Sequence, residues 1–488
     1  MEEHQAQITA FTDTWEFHQR SYEEFFDDPK NAKLFDLMES LYRILGTSEM
    51  MAYLLMMAPR LLEMHRVLKS TGSLYLHCDP AASHYLKILL DVIFGPQHFI
   101  NEITWKRTTS HNDARRKFGD LGDIILVYGK TNAYFFQAQY RPYDEEYVER
   151  FYKNTDPDGR RWMSDNFASP NPRPNLTYEY KGYKPPEYGW KVSREKMEQF
   201  DTEGRLVFPK NKDGRIRIKR YLDEMPGMPI GNIWDDISPI AAQAAERMGY
   251  PTQKPLALLE RIISASSNEG DVVFDPFCGC GTAVVAAEKL QRKWIGIDIT
   301  YLALDLMIVR LKKDFQLKRS HDYEVHGDPK DVYAARKLFE ESGKQFELWA
   351  VSLVAGVPQP EKSGDKGIDG RVYFGDESKK NQCSVCQVKG GHLTISMIRD
   401  FAHVIEREKA AMGYFICLEE PTKGMYTEAE GVGFFKAPSG RKIQKMQIRT
   451  IKELMDGKEF DYPKGWSVRS GGKRMLRKDE QRELELEA

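Results

Sequence analysis

One stretch of the chain, residues 270–300, brings together residue types that can bind a nucleoside-like ligand. Val272–Phe274 is a short apolar run, typical of a buried strand. Gly279 and Gly281 follow in a tight turn, where the missing side chains let a ligand approach the backbone. A second apolar run ends at Asp298, whose carboxylate can accept hydrogen bonds from both hydroxyls of a ribose. These residues indicate recognition of a nucleoside-like group.

Such a turn needs a sheet to hold it. The pattern predicts a strand before the glycines, a helix over Thr282–Lys289 and a second strand over Trp294–Ile297. Strand, turn, helix, strand and terminal acid make up the first half of a doubly wound α/β sheet, in which ligands bind at the carboxyl ends of strands. The spacing of Gly279 and Gly281 is not Gly-x-Gly-x-x-Gly, so the turn alone leaves open another nucleotide-type ligand.

The neighbours of the turn carry a family resemblance. Residues 275–282 (Asp-Pro-Phe-Cys-Gly-Cys-Gly-Thr), preceded by Thr-Gln-Lys-Pro at 252–255, resemble the S-adenosylmethionine site of the amino-group DNA methyltransferases, which methylate adenine N6 or cytosine N4. The order of these motifs resembles the permuted β class. The resemblance places Phe277 near the adenine or methionine part of the cofactor, Asp275 near its amino group and Asp298 on its ribose. The implied cofactor-binding residues are Lys254, Asp275, Phe277, Gly279, Gly281, Thr282 and Asp298.

The first third of the chain extends this resemblance. Strands predicted over Ser73–Asp79, Ile100–Trp105 and Asp123–Tyr128 alternate with predicted helices. Their sequences are similar to the target-base half of the β-class fold, and the resemblance covers residues 1–325.

The family's catalytic loop, Asp/Asn/Ser-Pro-Pro followed by an aromatic residue, has no counterpart in this sequence. The only Pro-Pro pair is Pro185-Pro186, between Lys184 and Glu187. In the family that loop accepts the hydrogens of the exocyclic amine of a flipped base and stacks on the base. It also follows a strand in the middle of the sheet. We therefore expect Met1 to be an internal start or the start of a truncated reading frame; the alternative is that another segment replaces that strand.

Composition sets wider limits. A chain of 488 residues with 41% hydrophobic and 30% charged residues is an ordinary globular protein with length for two or three domains. A net charge of −2 excludes a polycation, so contact with nucleic acid requires local basic patches. No apolar stretch reaches membrane-spanning length. The six scattered cysteines indicate a reducing cytoplasm; Cys383 and Cys386 have zinc-like spacing, but we interpret them as buried strand cysteines.

Residues 140–235 differ in composition, being rich in Pro, Tyr and Trp, and they stand where the family carries its variable target-recognition segment. A hairpin is predicted from Leu206–Phe208 and Ile216–Tyr221. Alternation along its second strand places three cations on one face, which suits contacts with the phosphates of double-stranded DNA. A solvated sheet face is the alternative interpretation. The predicted DNA-binding residues are Arg215, Arg217 and Lys219.

A second α/β pattern begins near residue 331. Helices are predicted over Val332–Glu340 and Phe346–Val354, and strands over Arg371–Phe374 and Ser384–Lys389. With an acid before the first of these strands and Gln-x-Lys on the second, the pattern resembles the restriction-endonuclease-like nucleases, closest to the Mrr type.

This second resemblance implies a Mg²⁺ site held by Asp369 and Gln387, with Glu347 as a further ligand. Lys389 would stabilise charge or help to activate water at the scissile phosphate. The alternative is a degenerate nuclease fold that only binds DNA, because glutamine is a poorer metal ligand than glutamate.

The predicted fold class is α/β: a doubly wound Rossmann-like methyltransferase sheet with an inserted target-recognition region, plus a C-terminal α/β restriction-endonuclease-like domain. The predicted function is methylation of adenine N6 (preferred) or cytosine N4 in DNA, within a restriction–modification system. The alternative is a methylation-inactive protein that acts through its nuclease-like domain. The predicted segments are 1–139 (target-base half), 140–235 (target recognition), 236–325 (S-adenosylmethionine-binding half), 331–460 (nuclease-like domain) and 471–488 (charged tail).

Overall fold

The computed structural model describes residues 32–108, 118–241, 244, 246–248, 250, 252–354, 356–358, 367–375, 381–437, 440–462 and 467–469. The predicted charged tail lies outside these ranges. The chain divides into two compact units: Met1–Gln137 with Ile233–Ala488, called the main unit, and Ala138–Asn232, called the inserted unit. The domain boundaries given above stay predictions. None of the described helices combines the length and apolar character needed to cross a membrane.

The first part of the main unit packs three helices against antiparallel strands. Leucine and methionine side chains of the helices and the inward side chains of the strands form one buried core. Ser48 and Asp79 cap the second and third helices by accepting hydrogen bonds from backbone N–H groups. The elements are α1 (Ala32–Leu45), α2 (Glu49–Val67), β1 (Ser73–Cys78), α3 (Pro80–Phe94), β2 (Phe99–Lys106) and β3 (Gly122–Gly129).

The inserted unit is built of short elements around an aromatic core that includes Trp190, Tyr180 and Tyr183. Its largest sheet has the order β5-β6-β8-β7. The predicted hairpin is confirmed, because Leu206 and Val207 pair antiparallel with Ile218 and Arg217. The elements are β4 (Tyr140–Arg141), α4 (Glu145–Phe151), β5 (Asn154–Thr155), β6 (Arg161–Asn166), α5 (Arg194–Thr202), β7 (Leu206–Val207), β8 (Arg217–Tyr221) and β9 (Met228–Pro229).

The main unit resumes with the segment that carries the glycine turn. The predicted helix over Thr282–Lys289 has those bounds in the structure, and the two strands lie within one residue of prediction. The elements are β10 (Ile233–Trp234), α6 (Leu256–Ser266), β11 (Val272–Asp275), α7 (Thr282–Lys289), β12 (Lys293–Gly296) and α8 (Tyr301–Phe315).

The strands of this half form two hydrogen-bonded pieces in the described part of the chain. One has the order β1-β3-β2-β10, with β10 parallel to β2 and the other pairs antiparallel. The other is the parallel pair β11-β12. Val272 and Phe274, predicted as buried strand residues, are instead 48% and 38% exposed. The reason is visible in the pairing: β11 has one strand neighbour among the described residues, so only part of its surface is covered.

The C-terminal part of the main unit is a second three-layer α/β structure. Its sheet has the order β13-β14-β15-β16-β19, and β20 pairs with β14. All six residues of the central strand, Met412–Cys417, are buried because helices cover both faces of the sheet. The helices are α9 (Val332–Glu341), α10 (Gly343–Ser352), α11 (Ile395–Arg407), α12 (Lys423–Gly431) and α13 (Ile451–Met455). The strands are β13 (Val357–Pro358), β14 (Gly370–Gly375), β15 (Asn381–Lys389), β16 (Met412–Cys417), β17 (Phe434–Lys436), β18 (Lys442–Gln444), β19 (Met446–Thr450) and β20 (Ser467–Arg469).

Helix α8 joins the two α/β structures and carries a partly buried carboxyl group, that of Asp305. Its first residue, Tyr301, packs against the C-terminal core. Burial raises the pKa of Asp305 to about 7, and the nearby carboxylate of Asp328 adds to the effect while Arg319 opposes it. Arg319 forms an ion pair with Asp328, whose other carboxylate oxygen is buried without a hydrogen-bond partner in the described structure. Asp305 is therefore a source of pH-dependent stability.

We expect Asp305→Asn to stabilise the protein at pH 8, by an amount that becomes steadily smaller as the pH is lowered towards 4. The folded state holds the Asp305 proton more tightly than the unfolded chain, whose pKa is near 3.8, so this group's contribution to stability falls as the pH rises from about 4 to about 7. The asparagine side chain has nearly the same shape as that of aspartic acid and does not titrate. The measurement is the melting temperature of both proteins across this pH range. Asp314→Asn, at an exposed position of α8, is the control; the same pH-dependent gain in both variants would contradict the assignment.

Candidate functional site

The glycine turn between β11 and α7 has the backbone conformation that only glycine adopts readily. Gly279 has φ of 51° and Gly281 has φ of 75°, both in the left-handed region. Gly281 is also the N-cap residue of α7, and its carbonyl accepts the first helical hydrogen bond, from Val285 N at 2.9 Å. The turn thus leads directly from the end of a strand into a helix N-terminus, a place that suits an approaching ligand.

Side chains behind the turn leave no room for a larger residue. A Cβ atom on Gly281 would lie 2.5 Å from Met307 Cγ of α8, and one on Gly279 would lie 3.0 Å from Tyr250 Cε1. Buried Arg310, also on α8, donates to the carbonyl oxygen of Cys280 at 3.0 Å. The turn is therefore held from behind by α8 and Tyr250.

Asp298 holds the turn from the second strand. Its Oδ2 accepts a hydrogen bond from Gly279 N at 2.9 Å, and its Oδ1 accepts from Thr300 N at 2.9 Å and from Thr300 Oγ1 at 2.8 Å. Cys278 N donates to the carbonyl of Ile297 at 3.0 Å, which continues the strand pairing into the turn. The structure thus brings Asp298 to the glycines, 19 residues away in sequence.

Asp275 and Phe277 supply the remaining chemistry at the end of β11. Burial raises the pKa of Asp275, with a smaller contribution from the negative charge of Asp298. Asp275 Oδ1 accepts a hydrogen bond from Phe277 N at 3.0 Å, and the Phe277 side chain is 47% exposed. A cationic ligand would restore the ionised form of Asp275.

These residues fit S-adenosylmethionine. The cofactor has an adenosine, an ammonium group and a sulfonium centre. The turn offers an exposed aromatic ring and two carboxylates beside the N-terminus of α7. Of the predicted cofactor residues, Asp275, Phe277, Gly279, Gly281, Thr282 and Asp298 lie together at this turn.

Lys254, the seventh predicted residue, belongs to a cluster of charged groups at one edge of the β1-β3-β2 sheet. Burial lowers its pKa, Asp123 opposes that effect and Arg107 adds to it. Asp123, 5% exposed, accepts a hydrogen bond from His77 Nε2 at 2.8 Å. Arg107 Nη1 lies 3.2 Å from Asp123 Oδ1, close enough for an ion pair but without the alignment of a hydrogen bond.

The electrostatics of this cluster favour a charged Asp123 and a neutral His77. Burial acts to raise the pKa of Asp123, but the His77 hydrogen bond and Arg107 outweigh it and hold that pKa below its usual range. Burial lowers the pKa of His77 despite the opposing Asp123 carboxylate. One anion among Arg107, Lys254 and a neutral imidazole leaves the cluster with net positive charge.

The sequence interpretation missed Tyr250, His77, Arg107 and Asp123. Tyr250 packs on the glycine turn, and burial raises its pKa, with Asp298 as the second cause. A signal for the other three did exist. His77 and Arg107 stand at the carboxyl ends of predicted strands, and Asp123 stands at the start of the next. Antiparallel pairing of these strands brings such positions to one edge.

In the inserted unit, the predicted alternation over residues 215–218, at the start of β8, is confirmed, with Arg215 and Arg217 exposed and Ile216 and Ile218 buried. Arg217 Nε donates to Ser164 Oγ at 2.7 Å. Lys219 departs from its predicted role.

The Lys219 ammonium lies 2.7 Å and 2.8 Å from the two carboxylate oxygens of Asp156, and its side chain is 17% exposed. Asp156 also accepts hydrogen bonds from Tyr221 and Trp162. Lys219 is thus part of an internal network, and its charge is balanced within the unit.

The predicted nuclease residues fall on the expected elements of the C-terminal sheet. Asp369 precedes β14, and its Oδ2 accepts a hydrogen bond from Val388 N of β15 at 2.6 Å. Gln387 is 8% exposed; its Nε2 donates to the Gly367 carbonyl at 3.4 Å, and its Oε1 has no hydrogen-bond partner in the described structure. Asp369 and Gln387 are therefore neighbours, as predicted.

The residues present do not fit a Mg²⁺ site. Among the described residues no group of three or more His, Cys, Asp and Glu side chains is placed to share a metal ion. Gln387 supplies a neutral amide oxygen, and Glu347, on α10, forms an ion pair with Lys344 at 3.4 Å. Lys389 is half-buried at the end of β15. Cys383 and Cys386 carry free thiols on β15, as predicted for strand cysteines; Cys386 is fully buried, but Cys383 is only half-buried.

Comparison with known proteins gives two family matches. Residues 42–308 match the family described as DNA methylase, of the N6 and N4 type. Residues 343–456 match the family described as NACHT-associated inactive Restriction Endonuclease 1. The first match covers both the charged cluster and the glycine turn, and the second covers Asp369, Gln387 and Lys389.

Individual relatives agree with the first match. The type II methyltransferase M.EcaI of Enterobacter cloacae is 36% identical over 261 residues, which cover 53% of this chain and 57% of that protein. The StyLTI Mod subunit of Salmonella typhimurium, a type III restriction-modification enzyme, is 26% identical over 299 residues, covering 58% and 44%. The chain thus spans about half the length of the curated relatives it matches.

Among solved structures, the M1.HpyAVI complex with S-adenosylmethionine covers 52% of this chain and 82% of its own, at 19% identity and a TM-score of 0.28. At that score the superposition adds nothing to the assignment, which depends on the sequence match. Since the family match extends over more than half of the chain, the protein belongs to the N6/N4 DNA methylase family.

Proposed function

We propose that this protein binds S-adenosylmethionine at the glycine turn and transfers its methyl group to an exocyclic amine of double-stranded DNA, adenine N6 in preference to cytosine N4. One observation carries the proposal: the left-handed turn at Gly279 and Gly281 is held by Asp298, with Asp275 beside it. Relatives named as type II and type III restriction-modification methyltransferases support a role in restriction–modification.

The chain's own residues supply binding and positioning. When bound, S-adenosylmethionine provides a methyl group activated by its sulfonium centre. Asp298 fixes the conformation of the turn beside which the adenosine would bind. Phe277 offers the face of its ring for stacking with the adenine or for contact with the methionine part of the cofactor. The Asp275 carboxylate, whose pKa burial raises, is stabilised as an anion by a cationic group beside it. The positively charged cluster around Asp123 suits an anion, such as a carboxylate or a phosphate.

We expect Asp298→Ala to weaken S-adenosylmethionine binding by about tenfold or more, which corresponds to about 1.4 kcal/mol. The substitution removes the acceptor for Gly279 N as well as the acceptor for the ribose hydroxyls. Isothermal titration calorimetry with the purified chain measures the affinity. Asp314→Ala, which removes an exposed carboxylate from α8, is the matched control. Equal affinity of Asp298→Ala and the control would remove Asp298 from the cofactor site.

A second candidate function is binding of cofactor and DNA without methyl transfer. It is favoured by one sequence observation: the only Pro-Pro pair, Pro185-Pro186, is followed by Glu187 and not by an aromatic residue. Transfer of labelled methyl from S-adenosylmethionine to DNA separates the two functions. Labelled 6-methyladenine or 4-methylcytosine supports the first. Cofactor binding by calorimetry with no label in DNA supports the second.

For the C-terminal domain we propose binding of DNA without cleavage. The support is the neutral amide of Gln387 at the position predicted to hold Mg²⁺, together with a family description that includes the word inactive. The competing proposal is Mg²⁺-dependent cleavage by Asp369, Gln387, Lys389 and Glu347. Cleavage of plasmid DNA that both Asp369→Ala and Lys389→Ala abolish would establish the nuclease.

A further inference from the structure

Two neighbouring loops of the inserted unit carry four exposed lysines. The first loop spans residues 181–184 and the second spans 209–212; together they are called the lysine loop pair. The Tyr183 hydroxyl donates to the carbonyl of Pro209 at 2.9 Å, and Lys212 Nζ donates to the carbonyl of Lys181 at 2.8 Å. These bonds join segments about 30 residues apart. The exposed lysines are Lys181, Lys184, Lys210 and Lys212.

The loop pair is fixed to the core of the unit. Tyr183 is 6% exposed and packs against Phe208, with ring centroids 5.6 Å apart. The Lys212 ammonium lies 3.9 Å from the centroid of the Tyr183 ring, and the Lys181 ammonium lies 5.6 Å from that of Phe208. The ammonium groups of Lys181 and Lys212 are thus held against aromatic rings that belong to, or pack on, the core of the unit. Fixed charges lose less conformational entropy on binding than charges on free loops.

The charges of the loop pair are less balanced than those of strand β8 and its surroundings. Near β8, Lys219 pairs with Asp156, and Arg160 and Arg205 both pair with Glu224. In the loop pair, Lys181 pairs with Asp201. Within the described part of the chain, Lys184, Lys210 and Lys212 take part in no ion pair. Asp213 is an exposed acid that follows the second loop directly.

We propose that the lysine loop pair, together with exposed Arg215, is the surface through which the inserted unit contacts the phosphates of double-stranded DNA. This inference rests on the proposed function, in which DNA is the substrate. Lysine ammonium groups are point charges that attract phosphates whatever the base sequence. Contacts of this kind fix the position and orientation of a protein on the duplex and leave base recognition to other residues. The surface therefore positions the inserted unit and does not select the target sequence.

The test uses the full chain, with Lys184, Lys210 and Lys212 all replaced by glutamine, and a labelled DNA duplex. Each phosphate contact contributes about 0.9 to the slope of log K against log salt, so losing three should make the slope shallower by about 2 to 3. Affinity at low salt should fall by about tenfold or more, equally for duplexes of different sequence. Affinity for S-adenosylmethionine should not change, and the melting temperature should fall only slightly, because the Lys212 hydrogen bond is lost.

The matched control removes three other exposed charges of the inserted unit: Arg150, Lys153 and Lys196, each replaced by glutamine. It should bind DNA like the wild type. An equal loss in both triple variants, or an unchanged salt slope in the lysine variant, would overturn the inference and leave the proposed function intact. No DNA binding by the wild type would overturn both. If the triple variant fails to fold, the double variant Lys184→Gln with Lys210→Gln tests the same surface, because it leaves the Lys212 hydrogen bond in place. Its slope of log K against log salt should be shallower than that of the wild type by about 2.

Discussion

Gly281→Ala is expected to weaken S-adenosylmethionine binding by about a hundredfold or more, which corresponds to about 2.7 kcal/mol. Two costs combine at this position. Alanine resists the φ of 75°, a strain of order 1–3 kcal/mol. Its Cβ would also lie 2.5 Å from Met307 Cγ, so either the turn or α8 must move. Movement of the turn would break the hydrogen bond from Gly279 N to Asp298 and displace the backbone that the cofactor is proposed to contact. Calorimetry on the folded variant gives the affinity.

Gly270 provides the control for backbone strain. It lies in the same stretch of the chain, with φ of 79°, and a Cβ there would meet no atom within 4 Å. Gly270→Ala should therefore lower the melting temperature but leave the cofactor affinity of the folded protein unchanged. The double variant Gly281→Ala with Met307→Ala removes the steric overlap and should recover part of the affinity. Equal affinities of Gly281→Ala and Gly270→Ala would show that the turn at 281 does not contact the cofactor.

The glycine turn was predictable from sequence because its signals are local. Two apolar runs, a pair of glycines and two acids stand within about thirty residues, and each element forms where periodicity and glycine content place it. The bonds from Asp298 to Gly279 N and Thr300 then follow from the parallel pairing of β11 and β12, which brings the two strand ends together.

Features that depend on distant pairings were not predicted. Lys219 alternates with isoleucines like any surface cation, but its partner Asp156 lies 63 residues earlier. The lysine loop pair was missed for the same reason, because tertiary contacts such as those of Tyr183 and Lys212 bring the two loops together. The Asp123 cluster required the register of three strands and the position of Lys254. Periodicity gives the face of a residue on its own element, and tertiary contacts decide its partner.

In the C-terminal domain, Gln387→Glu is expected to create a Mg²⁺-binding site. Gln387 Oε1 is buried without a hydrogen-bond partner in the described structure, on the strand whose Val388 N–H holds the Asp369 carboxylate. A carboxylate at position 387 would add a buried anion on the strand that holds the half-buried Asp369 carboxylate, near the Gly367 carbonyl that now accepts from the amide. The variant should therefore be less stable than the wild type without metal. A hard divalent cation with oxygen ligands relieves that repulsion.

Thermal unfolding with and without MgCl₂ measures this gain. Metal at one hundred times its dissociation constant stabilises a folded protein by about 2.7 kcal/mol, so Gln387→Glu should melt at a higher temperature in Mg²⁺ while the wild type does not respond. Adding Asp369→Ala should remove the response, because one of the two anions is lost. Glu347→Gln at the α10 ion pair tests whether the predicted extra ligand takes part. A wild-type protein that responds to Mg²⁺ as strongly as the variant would show that the domain already binds the metal. That result would contradict the conclusion that the residues present do not fit Mg²⁺, and plasmid cleavage would then decide whether the domain is a nuclease.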